Sequence, residues 1–145
     1  TIAADAHKID KSWADAQTRQ LGSGAYIEIA SIVATIAAID AFSEALGGDY
    51  EEFPRPLSGE PSGFQSHNVA DIGANVPKVD PRHGPNDARA FSLVPAAYQH
   101  FFSNVQQMYT SGGDGFSEIV WTGPLTRPQA ELLAARVSSV NECFY

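Results

Sequence analysis

Two side chains in this 145-residue sequence stand at a spacing that suits redox chemistry: Glu131 and Cys143, the latter the only cysteine. A carboxylate can carry protons for a thiol that cycles between reduced and oxidised forms, provided the two meet. In one straight helix their separation of twelve residues places them about 18 Å apart along the axis and roughly 120° apart in azimuth, which keeps them from cooperating. They approach only if the helix ends near Asn141 and the chain reverses. Asn tolerates the left-handed conformation that such an ending uses, and a reversal there puts Cys143 at the start of a following helix. In that position free amides and the helix dipole stabilise a thiolate. Each residue also has a plainer reading. A lone cysteine packs as a small hydrophobe, and an acid in the first turn of a helix, where Glu131 is expected, is favoured by the dipole whatever its chemistry.

The other ionisable clusters carry less. His67, Asp71, Asp80 and His83 lie among prolines, but His-x3-Asp and Asp-x2-His match no strong metal signature, so they read as solvated loop residues and no metal is assigned. His7 and His100 read as structural or incidental. Glu28 and Asp40 sit on an apolar segment, where an acid caps, pairs or faces a subunit interface. Tyr98, Phe101, Phe102 and Tyr109 form a packing set, and Gly22-Ser23-Gly24 and Gly112-Gly113 lack a phosphate-loop context and read as turns.

The elements that must position Glu131 and Cys143 follow from helical periodicity, since runs of alternating strand pattern are absent. A first helix is predicted over 10–21, with Trp13, Ala16 and Gln20 on one face. A second is predicted over 25–46, capped by Ser23 and stopped at Gly47-Gly48. Ile29, Ile32, Val33, Ile36 and Ile39 recur in it at helical spacing, which predicts one broad buried face. From about 49 to 90 prolines and glycines exclude any helix. A connection this long is a wrapping arm or a binding loop, and Phe53, Leu57, Phe64, Val69 and Ile72 are its expected apolar anchors. Helical pattern returns over 95–109, one or two turns are expected over 116–121, and a last helix over 127–140 carries Leu132, Leu133, Val137 and Val140. Its start is marked by Thr126 as N-cap, Pro128 in the first turn and Gln129 at the capping-box position. The predicted class is an all-α single domain with a long Pro/Gly-rich central arm.

Composition limits the partners. Nine Lys and Arg against seventeen Asp and Glu leave a net charge of −8, which excludes a phosphate-dominated nucleic-acid interface and disfavours an anionic membrane surface. The apolar run from Ile29 to Ile39 is too short for a bilayer core needing about 20 residues. One cysteine among 145 residues permits no internal disulfide and suits a reducing, cytoplasmic setting. Low charge with apolar helices predicts a homo-oligomer. The first residue, Thr1, and the ending Cys143-Phe144-Tyr145 read as truncations.

The stretch from Glu131 through Arg136 and Asn141 to Cys143 resembles the core of AhpD-like alkylhydroperoxidases, in the carboxymuconolactone decarboxylase superfamily. That family pattern is a Glu, eleven residues, then Cys-x-x-Cys-x-x-x-His. Ala25-Tyr26-Ile27-Glu28, Asp40-Ala41-Phe42, Leu46-Gly47, Gly59-Glu60-Pro61-Ser62 and Ala90-Phe91-Ser92-Leu93-Val94-Pro95 are similar, in the same order, to stretches of peroxidase-related members. The resemblance implies an all-α, oligomeric peroxidase that reduces a small hydroperoxide and is recycled by a thiol reductant, with no cofactor. It implies Glu131 as proton relay and Cys143 as the resolving cysteine. The peroxide-attacking sulfur or selenium falls at position 146 and the relay histidine at 150, beyond this sequence, so the chain as it stands is expected to be inactive. A selenocysteine at 146, whose codon ordinary expression reads as stop, accounts for such an ending. Two alternatives stay open: a decarboxylase-like enzyme acting on a small carboxylic acid, and a non-catalytic helical assembly or binding subunit.

Overall fold

In the computed structural model, which describes residues 1–50, 52–60, 62–79, 86–87, 89–109 and 123–143, four α-helices carry most of the regular structure. They are α1 (Lys11–Leu21), α2 (Ser23–Ala45), α3 (Pro95–Tyr109) and α4 (Arg127–Val140), preceded by a short 3-10 turn at Ala6–Lys8. The chain is mostly helical, compatible with the predicted all-α class. The turns expected over 116–121, and Gly112-Gly113, lie outside the described residues, as do Asp80 and His83. The chain divides into two compact units, Thr1–Phe101 and Phe102–Tyr145.

In the first unit, Asp10 starts α1 by accepting the Trp13 amide at 2.8 Å. That amide, and then the Ser12 hydroxyl, hold its carboxyl below the usual carboxylate range. Gly22 both closes α1, donating to Thr18 O at 2.9 Å, and stands as N-cap of α2. Its φ of +83° is open to glycine and few other residues. Ser23 therefore lies inside the second helix and makes no cap bond. One residue thus joins two helices where a longer turn was expected. Ser31 and Thr35 do not interrupt α2, because their hydroxyls donate back to Glu28 O and Ser31 O at 2.9 and 2.8 Å. The result is a helix of 23 residues, long and apolar enough by length and composition to cross a membrane. That corrects the shorter apolar run read from the sequence.

The core differs from the predicted faces. On α1 it is Ala14 that is fully buried, while Ala16 and Gln20 are exposed. On α2, Gly24, Tyr26, Ile27 and Ser31 are buried, whereas Ile32 keeps 57% of its surface exposed and Ile29 and Ile39 are exposed as well. Tyr26 and Ile27 pack with Ala14, Val76, Leu93, Val94 and Ala97, and Trp13, Val69 and Phe91 flank this cluster. Burial pushes the Tyr26 hydroxyl up from its ordinary value, against the opposing hydrogen bond of Asn75.

The arm is ordered by a device that two-residue strands cannot announce in a sequence. β1 (Val69–Ala70) and β2 (Lys78–Val79) pair antiparallel, Val69 opposite Val79. Ser66 then pins the arm to the turn before α3, its amide donating to Leu93 O and its hydroxyl to Ser92 O, both at 2.8 Å. Val76 and Val69 are the arm's true anchors. Phe53, Leu57 and Phe64 are exposed.

Candidate functional site

In the second unit, α4 begins where the sequence predicts. The Thr126 amide and hydroxyl both donate to Gln129 Oε1, at 2.8 and 2.9 Å, and Pro128 occupies the first turn, where its missing amide costs nothing. Glu131 stands one residue past the first turn and is exposed, with Arg127 Nε 3.5 Å from its Oε1. The helix then ends by a reversal built from two backbone bonds, Glu142 N–H to Ser139 O at 3.3 Å and Cys143 N–H to Ser138 O at 2.9 Å. This is the Schellman pattern. The left-handed residue is Glu142, at φ +52°. Asn141 keeps φ at −84° and instead donates its side-chain Nδ2 to Val137 O at 2.9 Å.

Cys143 is exposed, so the plainer reading of a small buried hydrophobe is set aside. Among the described residues no hydrogen bond joins it to Glu131. From Glu131 to Ser138, against which Cys143 folds, α4 rises about 10 Å. Residues 144 and 145, where a following helix would begin, lie outside the described residues. The helix thus ends near Asn141 as expected, but the backbone turns at Glu142, one residue later.

Two cavities in the first unit are bounded by described residues. One, of about 280 Å³, runs along the end of α2 and is lined by Ile36, Ile39, Asp40, Tyr50 and Phe53 among others. The other, of about 350 Å³, is bounded by Ser66, Val79, Arg89, Ser92, Pro95 and Tyr98. Arg89 is 5% exposed. Its Nη1 donates to Val79 O at 2.9 Å and its Nη2 to Asn86 Oδ1 at 2.8 Å, so the β2 strand and the turn before α3 are fastened across one guanidinium. Lys78 Nζ reaches the same Asn86 Oδ1 at 3.4 Å. Burial first, and the Arg89 charge second, press the Lys78 ammonium below its ordinary value, with Asp87 opposing. Sequence reasoning passed over Arg89. The available signal was one arginine immediately before Ala90-Phe91-Ser92-Leu93-Val94, a stretch otherwise apolar and small.

Among the described residues no three of His, Cys, Asp and Glu group as a metal site. His67 stands edge-on to Phe64, ring centres 6.1 Å apart, and Asp71 accepts the Gly73 amide at 3.1 Å. Compared with known proteins, the chain matches no family model, no curated protein and no solved structure.

Proposed function

We propose that this chain belongs to a thiol- or selenol-dependent peroxidase of the AhpD-like kind, with Cys143 as its resolving thiol and Glu131 as its proton carrier. The observation that carries the reading is the end of α4: a left-handed Glu142 turns the backbone so that an exposed Cys143 folds against Ser138. That ending agrees with the residue spacing on which the resemblance rests. In this mechanism a thiolate or selenolate three residues beyond Cys143 attacks one peroxide oxygen. The O–O bond breaks, the alkoxide takes a proton and leaves as alcohol, and the nucleophile becomes a neutral sulfenic or selenenic acid. The Cys143 thiolate then attacks its sulfur or selenium, the S–O or Se–O bond breaks, the hydroxide takes a proton and leaves as water, and a disulfide or selenenylsulfide forms. A small thiol reductant reopens the bond. Glu131 takes and returns protons through solvent or after a movement that shortens its path to Cys143.

The test is an intact mass of protein purified from its native source, followed by its consumption of cumene hydroperoxide with dithiothreitol. The reading expects a mass above 15.5 kDa, with peptides that run through Tyr145 into a cysteine or selenocysteine, and turnover that Cys143→Ser abolishes. A native protein with neither residue at that position, or turnover unchanged by Cys143→Ser, overturns it.

A second reading, compatible with the first, is self-association through α2. Phe42 and Leu46 are 62% and 71% exposed, and Ile29, Ile32 and Ile39 are exposed as well, which leaves much of the apolar surface of α2 and its C-cap uncovered. A second copy is the favoured occupant over a lipid bilayer, because Tyr26, Ile27 and Ser31 already pack the first turns of α2 into the core, and Glu28, Asp40 and Glu44 interrupt its length. Light scattering after size exclusion reads the outcome: oligomers at micromolar concentration that Ile32→Glu dissociates. A wild-type monomer, or a chain that floats with neutral vesicles, refutes it.

A further inference from the structure

Between the last turns of α2 and the first residues of the arm lies the cavity of about 280 Å³, and it draws nothing on Glu131 or Cys143. That volume stands near the lower edge of the range of small-molecule pockets, which are mostly apolar with a few placed polar groups. Ile36 and Ile39 form its helix wall, Tyr50 and Phe53 bring aromatic rings from the arm, and Asp40 and Glu52 bring one carboxylate from each side. Of the apolar residues named for self-association, only Ile39 lines it.

We infer that this cavity binds a small organic ammonium ion, its charged head toward Asp40 and Glu52 and its apolar body against Ile36 and Ile39. Three features set the sign of the charge. Among the described residues neither carboxylate makes an ion pair or a side-chain hydrogen bond, and Arg55, the next cation along the arm, is exposed and pairs with neither. The last turn of α2 carries no basic side chain, so the negative end of its backbone dipole is left to attract a cation. From residue 20 to residue 54 the sequence holds Glu28, Asp40, Glu44, Asp49, Glu51 and Glu52 and no Lys, Arg or His, so nothing in this stretch offsets the negative potential. The walls decide which kind of cation. A metal ion asks for converging oxygens and gains nothing from isoleucine. An ammonium on an apolar body uses every wall: the carboxylates take its charge, aromatic rings such as Tyr50 and Phe53 attract it, and Ile36 and Ile39 cover the rest.

The backbone prepares this space. Gly47, at φ +71°, ends α2, and Gly47 and Gly48 donate to Glu44 O and Ser43 O at 3.0 and 2.9 Å. Beyond that turn Tyr50, Glu52 and Phe53 stand with Ile36, Ile39 and Asp40 around one cavity, which a ligand enters without refolding the helix end.

Titrating the 145-residue chain with phenethylammonium chloride, and separately with 2-phenylethanol, while following amide ¹⁵N–¹H shifts tests the inference. Phenethylammonium is expected to shift the Ile39, Asp40, Tyr50 and Phe53 amides saturably, and more weakly as sodium chloride is raised. 2-Phenylethanol, with the same ring and chain and no charge, is expected to leave them in place. The double variant Asp40→Asn, Glu52→Gln should bind phenethylammonium about tenfold more weakly, since two solvent-reached ion pairs are lost together. Glu28→Gln removes a charge about 18 Å away along the same helix and is expected to bind as the wild type does. Should the double variant disturb amides beyond the site, Glu52→Gln alone, on the exposed arm, reads the same effect at about threefold. Weakened binding in these variants with Glu28→Gln unaffected supports the site. Equal shifts with 2-phenylethanol, shifts confined to other residues, no shift at all, binding unchanged without the two carboxylates, equal weakening in Glu28→Gln, or calcium chloride displacing phenethylammonium from the same amides overturns it.

Discussion

Glu142 and Gly47 occupy the same place in two copies of one helix ending. At the end of α2, Gly47 is left-handed at φ +71°, and Gly47 and Gly48 donate to Glu44 O and Ser43 O. At the end of α4 the same two bonds form, but a side chain with a Cβ holds the left-handed position. That conformation costs an L-residue about 1 kcal/mol that glycine avoids. Glu142→Gly is therefore expected to stabilise α4 by about that amount, read as a rise in the midpoint of helical unfolding; a fall would mean that the Glu142 side chain contributes more than its backbone loses. At the other end of the chain, Asp10 has a depressed carboxyl. Its contribution to folding is present above the ordinary carboxylate value, near 4, and is lost as pH falls through the lower folded value. Helicity of α1 should decline on acidification through that window, and Asp10→Ala should remove the decline together with the cap.

At the scale of elements, the helices were legible because each carries its own punctuation. Gly22, Gly47-Gly48 and the Thr126-Arg127-Pro128-Gln129 start mark limits that lie within two residues of the observed ones. Punctuation is local chemistry and needs no knowledge of the rest of the chain. Removing it has a local effect: Thr126→Ala is expected to cost about 1 kcal/mol in the stability of α4, measured as loss of helical signal at fixed temperature, while α1 and α2 keep theirs. Which face goes inward was not legible. The isoleucine stripe on α2 is strongly apolar, yet Tyr26 and Ile27 take the core, because Leu93, Val94 and Ala97 arrive on that side. A helix apolar all round offers periodicity no preferred side. The end of α4 near Asn141 was legible, although the left-handed residue proved to be its neighbour Glu142, while the pairing of Glu131 with Cys143 remains a proposal from spacing and resemblance. The Arg89 cavity was not, since its walls come from residues 66, 79, 89, 92, 95 and 98, which only the folded arm brings together.

For the whole molecule, the exposed apolar residues set the expectation. Ile32 and Phe42 on α2, Leu46 at its C-cap, and Leu132, Val137 and Val140 on α4 are all more than half exposed, in a chain with only nine basic residues. If copies associate as proposed, the folded state gains stability by mass action, and the melting midpoint should rise with protein concentration. A midpoint independent of concentration, with a monomeric mass, would count against association. The pin at Ser66 has a different consequence, in time. The single residue between α1 and α2 lets that helix pair form from neighbours in sequence, whereas the bond from Ser66 to Leu93 closes a long loop of arm before it returns anything in packing. Loop closure is an entropic debt incurred ahead of contact. Refolding should therefore proceed in order: the α1–α2 pair first, and the arm later, as Leu93 and Val94 reach Tyr26. In pulse-labelling by hydrogen exchange, the Ser66 amide would be among the last in this unit to become protected.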